Sequence, residues 1–468
     1  HRHPAWLRYR HESDPDGRLV RVEAEVLIDG GAYASTTSAV LANACYFAVG
    51  PYRCDSVAVD GVGTRTNNPP CGAMRGFGAV QVCFAYETQM DRLAAVLGMD
   101  PLDLRELNAL GTGDPMPTTG QVIETPLPTV EVIRSLRAMP LPEADPGPDH
   151  SSLPGGSGLT TEPGQVIRGV GYAFGIKNLG FSEGSDDYAQ ARVRLGGDGA
   201  LVETAAIEVG QGLVTVLAQI ARSALGISRV EVVHVDTSRI DSAGSTSASR
   251  QSQVSGGATL EAATRLRRRI LDRHEGDDLD DEGVWRGESL LVPWSSLADE
   301  DWAETVTFRH PPTTGPDENG QGVIHADFAV AGHRAVVDVD VELGLVKVIR
   351  VDTAQDVGLA LNPASVRGQI EGGILQGVGL AVMEELVLKD GVMLNATFTD
   401  YLLPTILDAP EVEALLIERP GSWGPYGAKG VGEPPTISST AAVVAAIRAA
   451  SGKELNRVPV RPQDIALP

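Results

Sequence analysis

Five polar segments stand in glycine-rich sequence, and each carries side chains that could do chemistry. The most suggestive is 429–435, KGVGEPP, where Glu433 follows a glycine and precedes two prolines that restrict the backbone. A carboxylate held in an enclosed loop can accept a proton from a reacting group. We therefore predict that Glu433 is a general base. Taken alone, the motif would also fit an exposed glutamate in a loop.

Two further segments place polar side chains beside glycines at the start of predicted helices. The loop 71–78, CGAMRGFG, leaves Arg75 and Phe77 between glycines just before a helix. In 208–213, EVGQGL, Gln211 opens a helix, where unpaired backbone N–H groups and the helix dipole favour an anion or a polar ligand. We predict a ligand-binding loop at each position, with a plain turn as the alternative for the first.

The remaining two segments are rich in hydroxyl and amide groups. The hydroxyls of 244–252, GSTSASRQS, can bind phosphate or ring heteroatoms, although such a run can also be an ordinary capped loop. In 362–373, NPASVRGQIEGG, Gln369 lies on a glycine-rich helix. Each exposed helix glycine costs about 1 kcal/mol relative to alanine, so we expect this helix to pack closely against backbone or a ligand.

Alternating strand and helix patterns would position these segments. Between 18 and 29, apolar residues alternate with charged ones, which is typical of a half-buried strand. Turn signals at 196–199 and 342–344 predict antiparallel hairpins. Helical patterns cover the ranges 79–97, 101–110, 213–224, 257–270, 366–382 and 438–450. The sequence therefore predicts an α+β fold.

The length of 468 residues allows two or three domains. Residues 141–164 are almost all turn formers and acids, which predicts a solvated linker between a first domain, 1–140, and a second, 165–468. Residues 274–322 contain an acidic run and are expected to form a solvated acidic insertion.

Composition excludes several classes of protein. The formal charge of −24 repels phosphate backbones and anionic membranes, so we expect neither nucleic-acid nor membrane partners. The chain has no apolar run long enough to span a bilayer and no opening signal segment, and four scattered cysteines do not make a disulfide framework. We expect a cytoplasmic protein. Because the chain starts at His1 without a methionine, we also expect a piece of a longer polypeptide or a split subunit.

The five motifs, taken in order, resemble those of the molybdenum-binding subunit of the xanthine dehydrogenase and aldehyde oxidase family, the molybdenum hydroxylases. CGAMRGFG is similar to the family's A-F-R-G-F-G, EVGQGL to its E-M-G-Q-G-L, and KGVGEPP to its K-A-V-G-E-P-P. The run 362–379 resembles its N-P-x-x-x-x-G-Q-x-E-G segment, and 244–252 its Ser/Ala-rich cofactor loop. The resemblance implies two mixed α/β molybdopterin-binding domains, with the N-terminal part of the first one missing.

The resemblance also implies roles for individual residues. Molybdenum would be held by a pyranopterin dithiolene, either molybdopterin or its cytosine dinucleotide form, with no side chain ligating the metal. Glu433 would deprotonate the cofactor's hydroxyl, which attacks an electron-poor carbon, while Phe77 and Phe181 would sandwich a flat substrate, although core packing is an alternative for Phe181. The positions that match cofactor-binding motifs are Arg75, Gln211, Ala248, Ser249, Arg250, Gln251, Ser252, Gln369 and Gly432.

Three departures from the family pattern bear on the substrate and on the extent of the chain. Asn43 falls where xanthine-specific enzymes carry an arginine that orients the purine, which argues against xanthine itself and leaves the substrate open, and Asn43 is expected to contact that substrate. Gly76 replaces the cysteine of carbon monoxide dehydrogenases, which argues against copper-linked CO oxidation. The family's G-G-G-F-G-G-K-E segment has no counterpart, so we expect another chain to supply it.

Two hypotheses of different class follow. The first is the catalytic subunit of a xanthine dehydrogenase-like hydroxylase that oxidises a purine or another N-heteroaromatic with oxygen derived from water, or, in the same family, an aldehyde oxidoreductase. The second is a non-catalytic structural subunit of such a complex. Both predict a dimer of heteromers, with 2Fe–2S clusters and FAD on partner chains. The presence of Glu433 and Gln211 favours the enzyme.

Overall fold

The computed structural model describes residues 1–142, 154–155, 161, 166–236 and 238–466. Most of the predicted linker, 141–164, therefore lies outside the described residues. The strands are β1 (Ala5–Ser13), β2 (Leu19–Asp29), β3 (Ser56–Thr64), β4 (Val166–Ser182), β5 (Tyr188–Gly196), β6 (Gly199–Thr204), β7 (Val230–His234), β8 (Asp278–Leu279), β9 (Gly283–Arg286), β10 (Ser289–Pro293), β11 (Ala303–Arg309), β12 (His325–Asp340), β13 (Leu345–Asp356), β14 (Leu388–Lys389), β15 (Val392–Met393) and β16 (Glu411–Ile417). The helices are α1 (Thr37–Tyr46), α2 (Ala79–Leu97), α3 (Pro101–Asn108), α4 (Thr129–Ala138), α5 (Leu213–Leu225), α6 (Gln251–His274), α7 (Trp294–Ala298), α8 (Pro363–Val382), α9 (Pro434–Ile437), α10 (Ser439–Ser451) and α11 (Pro462–Ala466).

The first sheet has the strand order β1-β2-β3, with β1 antiparallel and β3 parallel to β2. The alternation seen in the sequence puts Val22, Val26 and Ile28 of β2 into the core. Helix α2 ends at Gly98, which adopts the left-handed conformation that a helix end favours. Asp100 then accepts hydrogen bonds from two backbone N–H groups and starts α3. The predicted strand and both helices are therefore present.

The second sheet, β16-β13-β12-β4, carries the long strands that support the site. Glycines allow helices to lie directly on it and on one another. A Cβ added at Gly171 of β4 would collide with the backbone of α10, and one added at Gly373 of α8 would meet Pro435 Cβ at 2.6 Å. The close packing expected for α8 is thus observed at Gly373 and Gly377, whereas Gly368 faces open space.

The third sheet, β11-β5-β6-β7, packs against α5 and α6. Its edge strand β11 comes from the segment 274–322, for which the sequence predicts a solvated insertion. Four apolar residues of this segment, Leu279, Val284, Leu297 and Trp302, are buried in one hydrophobic cluster with the sheet and its helices, whereas most of its other side chains are at least partly exposed. The acidic side chains sit mainly on the exposed side of this folded unit.

Residues on both sides of the predicted linker share one hydrophobic core. This core joins β2 and α2 of the N-terminal part to β4, β12, β13, α8 and α10. A separate cluster holds residues between 193 and 306. The linker at 141–164 therefore does not divide the two cores, and the domain boundary there stays a prediction. Among the described residues, no helix combines the length and the apolar character needed to cross a membrane.

Candidate active site

All five predicted segments meet around one cavity of about 940 Å³. Loop 71–78 enters it from the β3–α2 connection, Gln369 from α8, and Glu433 from the turn before α9. A cavity of this size can hold a cofactor and a small molecule together. Every site residue predicted from the sequence lies in its wall: Asn43, Arg75, Phe77, Phe181, Gln211, Ala248, Ser249, Arg250, Gln251, Ser252, Gln369, Gly432 and Glu433.

Glu433 is held by two neighbouring loops. Its Oε1 accepts a hydrogen bond from the Gly76 backbone N–H at 3.1 Å. Its other oxygen, Oε2, accepts one from Ser249 Oγ at 3.4 Å, and the Glu433 N–H donates to the same Oγ at 2.9 Å. The residue is only 8% exposed, so its orientation is fixed while it still borders the cavity. This is a suitable setting for a group that accepts a proton at a defined place.

Arg75 joins three of the motifs. Its Nη2 donates to the Gln369 carbonyl at 2.8 Å and more weakly to Gln369 Oε1 at 3.4 Å, and its Nε donates to the Gly432 carbonyl. Burial lowers the pKa of Arg75, and the Glu433 carboxylate partly offsets this effect. The guanidinium therefore connects loop 71–78 to both α8 and the Glu433 loop.

Two aromatic rings that are far apart in sequence border the same cavity. Phe77 has a φ of +40°, between two glycines that also have positive φ, so this loop adopts a conformation that ordinary residues avoid. Phe181 lies at the end of β4, and the centre of its ring is 4.9 Å from the guanidinium carbon of Arg250. Both rings are in a position to contact a flat molecule.

The serine-rich loop differs from the prediction in two respects. Gln251 and Ser252 lie in the first turn of α6 and not in a loop. The Arg250 side chain is fully buried and bonds to Asp187 Oδ1 and to the carbonyls of Ala243, Ser245 and Tyr188. Gln251 likewise donates to backbone carbonyls. These two side chains therefore hold the loop, and Arg250 also lies over the Phe181 ring, while Ala248, Ser249 and Ser252 line the cavity.

The start of α5 also differs from expectation. The sequence predicts unpaired N–H groups at this helix start, but the Glu208 carboxylate accepts hydrogen bonds from Gly210, Gly212 and Val214 at 2.8–3.0 Å. These bonds hold the pKa of Glu208 below its ordinary value despite partial burial. Gln211 lines the cavity, but its amide bonds to the backbone of its own loop. Any contact of Gln211 with a ligand therefore requires those bonds to change.

Two cavity residues were missed by the sequence analysis. Lys177 lies in the middle of β4 and is 1% exposed, while its Nζ donates to Asn43 Oδ1 at 3.0 Å. Glu183, just after β4, has a pKa raised by burial. A signal was present, because Lys177 is the only charged residue between Arg168 and Glu183 in an otherwise apolar and glycine-rich strand.

Comparisons with known proteins identify the family of the chain. Two family models described as molybdopterin cofactor-binding domain match residues 1–109 and 159–410. The chain is 30% identical to a probable xanthine dehydrogenase subunit of Bacillus subtilis and 31% identical to a putative xanthine dehydrogenase molybdenum-binding subunit of Escherichia coli. These alignments cover 99% and 96% of this chain but 62% and 60% of the relatives.

A solved structure gives the same result at the level of the fold. The aldehyde oxidoreductase of Desulfovibrio desulfuricans superposes with a TM-score of 0.83 at 26% sequence identity, covering 99% of this chain and 49% of that one. The family models and the shared fold thus show a chain built of molybdopterin cofactor-binding domains. It belongs to the molybdenum hydroxylase family, and it spans about three fifths of the length of the two curated relatives.

Proposed function

We propose that this chain is the catalytic, molybdenum cofactor-binding part of a xanthine dehydrogenase-like hydroxylase that oxidises a purine or another N-heteroaromatic. The observation that carries the proposal is the fixed Glu433 carboxylate, which borders one cavity with the Arg75 loop and the two aromatic rings. The names of the two curated relatives support the same class of substrate.

The residues of the cavity fit a pterin-type cofactor. Backbone and hydroxyl groups of Ser249 and Ser252, the Gly432 backbone and the Gln369 amide are polar groups that can bond to pterin heteroatoms. Positive φ values at Ala248 and Ser249 show that this loop keeps a strained shape, as loops that bind ligands often do. Among the described residues, no group of three His, Cys, Asp or Glu side chains could hold a metal ion. We propose that Arg75, Gln211, Gln369, Gly432 and the loop 248–252 hold the cofactor, with Arg250 and Gln251 shaping that loop.

Each side chain then has a defined task. When bound, the cofactor supplies oxygen derived from water and takes up the two electrons of the oxidation. The Glu433 carboxylate accepts the proton that is released when the substrate carbon is attacked. Phe77 and Phe181 hold a flat substrate between them, on the cavity that Arg75 and Glu433 also line.

The chain is proposed to work within a larger assembly. Both curated relatives are named as subunits, and this chain covers about three fifths of each. We propose an iron–sulfur subunit and an FAD subunit as electron acceptors, a chain or segment that supplies the rest of the molybdopterin-binding region, and a dimer of such heteromers.

An aldehyde oxidoreductase is the second candidate, because the aldehyde oxidoreductase of D. desulfuricans has the same fold over nearly the whole chain. The wide cavity and its two rings favour a flat heteroaromatic over a small aldehyde. A non-catalytic structural subunit is a weaker candidate, since the Glu433 carboxylate is oriented toward the cavity by two loops.

The experiment is a substrate panel on the complex purified with its co-expressed partner subunits. Turnover of purines, quinoline and benzaldehyde is measured with an artificial electron acceptor and normalised to molybdenum content. The proposal predicts turnover of heteroaromatics well above that of benzaldehyde. If only benzaldehyde is turned over, the heteroaromatic activity is wrong and an aldehyde oxidoreductase takes its place. If a molybdenum-loaded complex turns over none of the substrates, a non-catalytic structural subunit is favoured.

A further inference from the structure

A buried cation borders the cavity on the side of β4. Lys177 is 1% exposed, and its ammonium donates to Asn43 Oδ1 at 3.0 Å and to Asn178 Oδ1. Its Nζ also lies 5.6 Å from the centre of the Phe47 ring. Lys177, Asn43 and Asn178 all line the same cavity as Phe77 and Phe181.

A second buried lysine shows what is unusual here. Lys429 pairs with the Asp356 carboxylate at 2.7 Å, so its charge is compensated. Within the described part of the chain, Lys177 forms no ion pair, and its partners are two neutral amides. Removing a charge from water without an opposite charge is costly, and such groups are often kept for function. Burial lowers the pKa of Lys177, while the Glu433 carboxylate raises it.

The hydrogen-bonding capacity of Lys177 is only partly used. An ammonium group has three N–H donors. The two amide oxygens accept two of them, which leaves one donor for a molecule in the cavity. The amides also restrict the ammonium, so its remaining N–H has little freedom of direction. A cation on a wall of this kind is suited to an oxygen acceptor that carries partial negative charge.

We propose that Lys177 determines substrate specificity by donating a hydrogen bond to the carbonyl oxygen of an oxo-substituted N-heteroaromatic lying between Phe77 and Phe181. The inference rests on the proposed function and names its substrate class more closely. Asn43 and Asn178 hold the ammonium in place, and the carbonyl anchored there fixes how the ring presents its carbon to the side of the cavity that carries Glu433. A flat heterocycle without an exocyclic oxygen has no such anchor.

The test compares two ligands that differ by one carbonyl, hypoxanthine and purine, on the complete complex. Binding is measured by isothermal titration calorimetry and turnover by kcat/KM. The variants are Lys177→Met, which removes the charge at similar length, and Lys389→Met, an exposed lysine that serves as control. We expect Lys177→Met to weaken hypoxanthine binding and kcat/KM about 10- to 100-fold and to leave purine within a few-fold, because charge-assisted hydrogen bonds have about that strength.

Each outcome decides the inference. An equal loss for both ligands, or no loss for either, would overturn it, since a purely structural lysine does not distinguish them. If Lys177→Met fails to fold, Asn43→Asp keeps the shape and pairs the ammonium with a carboxylate, and it should lower the preference for hypoxanthine over purine. An unchanged preference would again overturn the inference. If the wild-type complex binds neither ligand, the inference and its substrate class are both overturned. If Lys177→Met turns over heteroaromatics normally and does not distinguish the two ligands, only the role of Lys177 is overturned and the proposed function stands.

Discussion

Replacing Glu433 by glutamine removes the proposed general base while keeping its shape. The glutamine Oε1 can still accept the hydrogen bond that the Gly76 N–H now donates to Glu433 at 3.1 Å. The Glu433 N–H bond to Ser249 Oγ, at 2.9 Å, uses the backbone and is unaffected. Only the longer contact from Ser249 Oγ, at 3.4 Å, has to rearrange. The free energy of unfolding should therefore change by less than about 1 kcal/mol.

The expected effect on turnover is much larger. A positioned general base contributes roughly 10²- to 10⁴-fold to the rate, or about 3 to 5 kcal/mol of the activation barrier. Glu433→Gln should therefore lower kcat by that factor while molybdenum content and melting temperature stay near wild type. The matched control is Glu413→Gln, at an exposed position on β16.

The assay is steady-state turnover of the best heteroaromatic substrate, divided by molybdenum content and accompanied by a thermal melt. A Glu433→Gln enzyme with turnover per molybdenum within about threefold of wild type would refute the assignment of the base, given the rate factor expected of one. A variant that loses molybdenum as well would show that the carboxylate helps to hold the cofactor, which the geometry does not predict.

Two further predictions concern packing and pH. Gly377→Ala, whose Cβ would meet Ser439 Cβ at 2.8 Å, should lower the free energy of unfolding by about 1–3 kcal/mol. Gly368→Ala on the same helix faces open space and should raise the free energy of unfolding by up to about 1 kcal/mol. Urea unfolding of both variants measures these changes, and equal changes would contradict the packing assigned to Gly377. Burial lowers the pKa of His325 to about 3, so the unfolded chain takes up a proton that the folded chain refuses, and stability is lost as pH falls below 6.5. Between pH 7 and pH 5, protonation of this histidine in the unfolded chain should lower the free energy of unfolding by about 2 kcal/mol. His325→Phe should reduce that decrease by the same amount, whereas His234→Gln at an exposed position should not. An identical pH dependence of stability in wild type and His325→Phe would disprove the lowered pKa of His325.

Much of the fold could be predicted because its signals are local. The alternation in β2, the Asp100 cap of α3 and the Asn362 cap of α8 are set by neighbouring residues, and the structure places these elements close to the predicted ranges. The hairpin β12–β13 follows in the same way from its turn at 342–344. These features need no knowledge of distant parts of the chain.

Contacts between residues far apart in sequence could not be predicted. The acidic charge of the segment 274–322 is visible locally, whereas the pairing of its strand β11 with β5 is not. Cofactor binding by Arg250 stays a prediction, and the bond of its guanidinium to Asp187, 63 residues earlier, could not be read from the motif. In the same way, the role of Lys177 depends on Asn43, which lies on α1.

The order of the five motifs was a stronger guide to the site than any single motif. Taken alone, loop 71–78 fits a plain turn, 244–252 a capped loop and 429–435 an exposed glutamate. Loop 71–78, α8 and the Glu433 loop meet through contacts of Arg75. These contacts span about 300 residues or more and could not be derived from spacing. What the sequence could supply was the chemical type of each residue.

The cofactor site is tested most simply by molybdenum analysis, using inductively coupled plasma mass spectrometry, of the chain purified in complex with its co-expressed partner subunits. We expect stoichiometric molybdenum accompanied by pterin, because the cavity residues fit the cofactor and the chain belongs to the family that binds it. A folded, assembled complex that contains neither molybdenum nor pterin would contradict the central claim that this cavity is a molybdenum cofactor site.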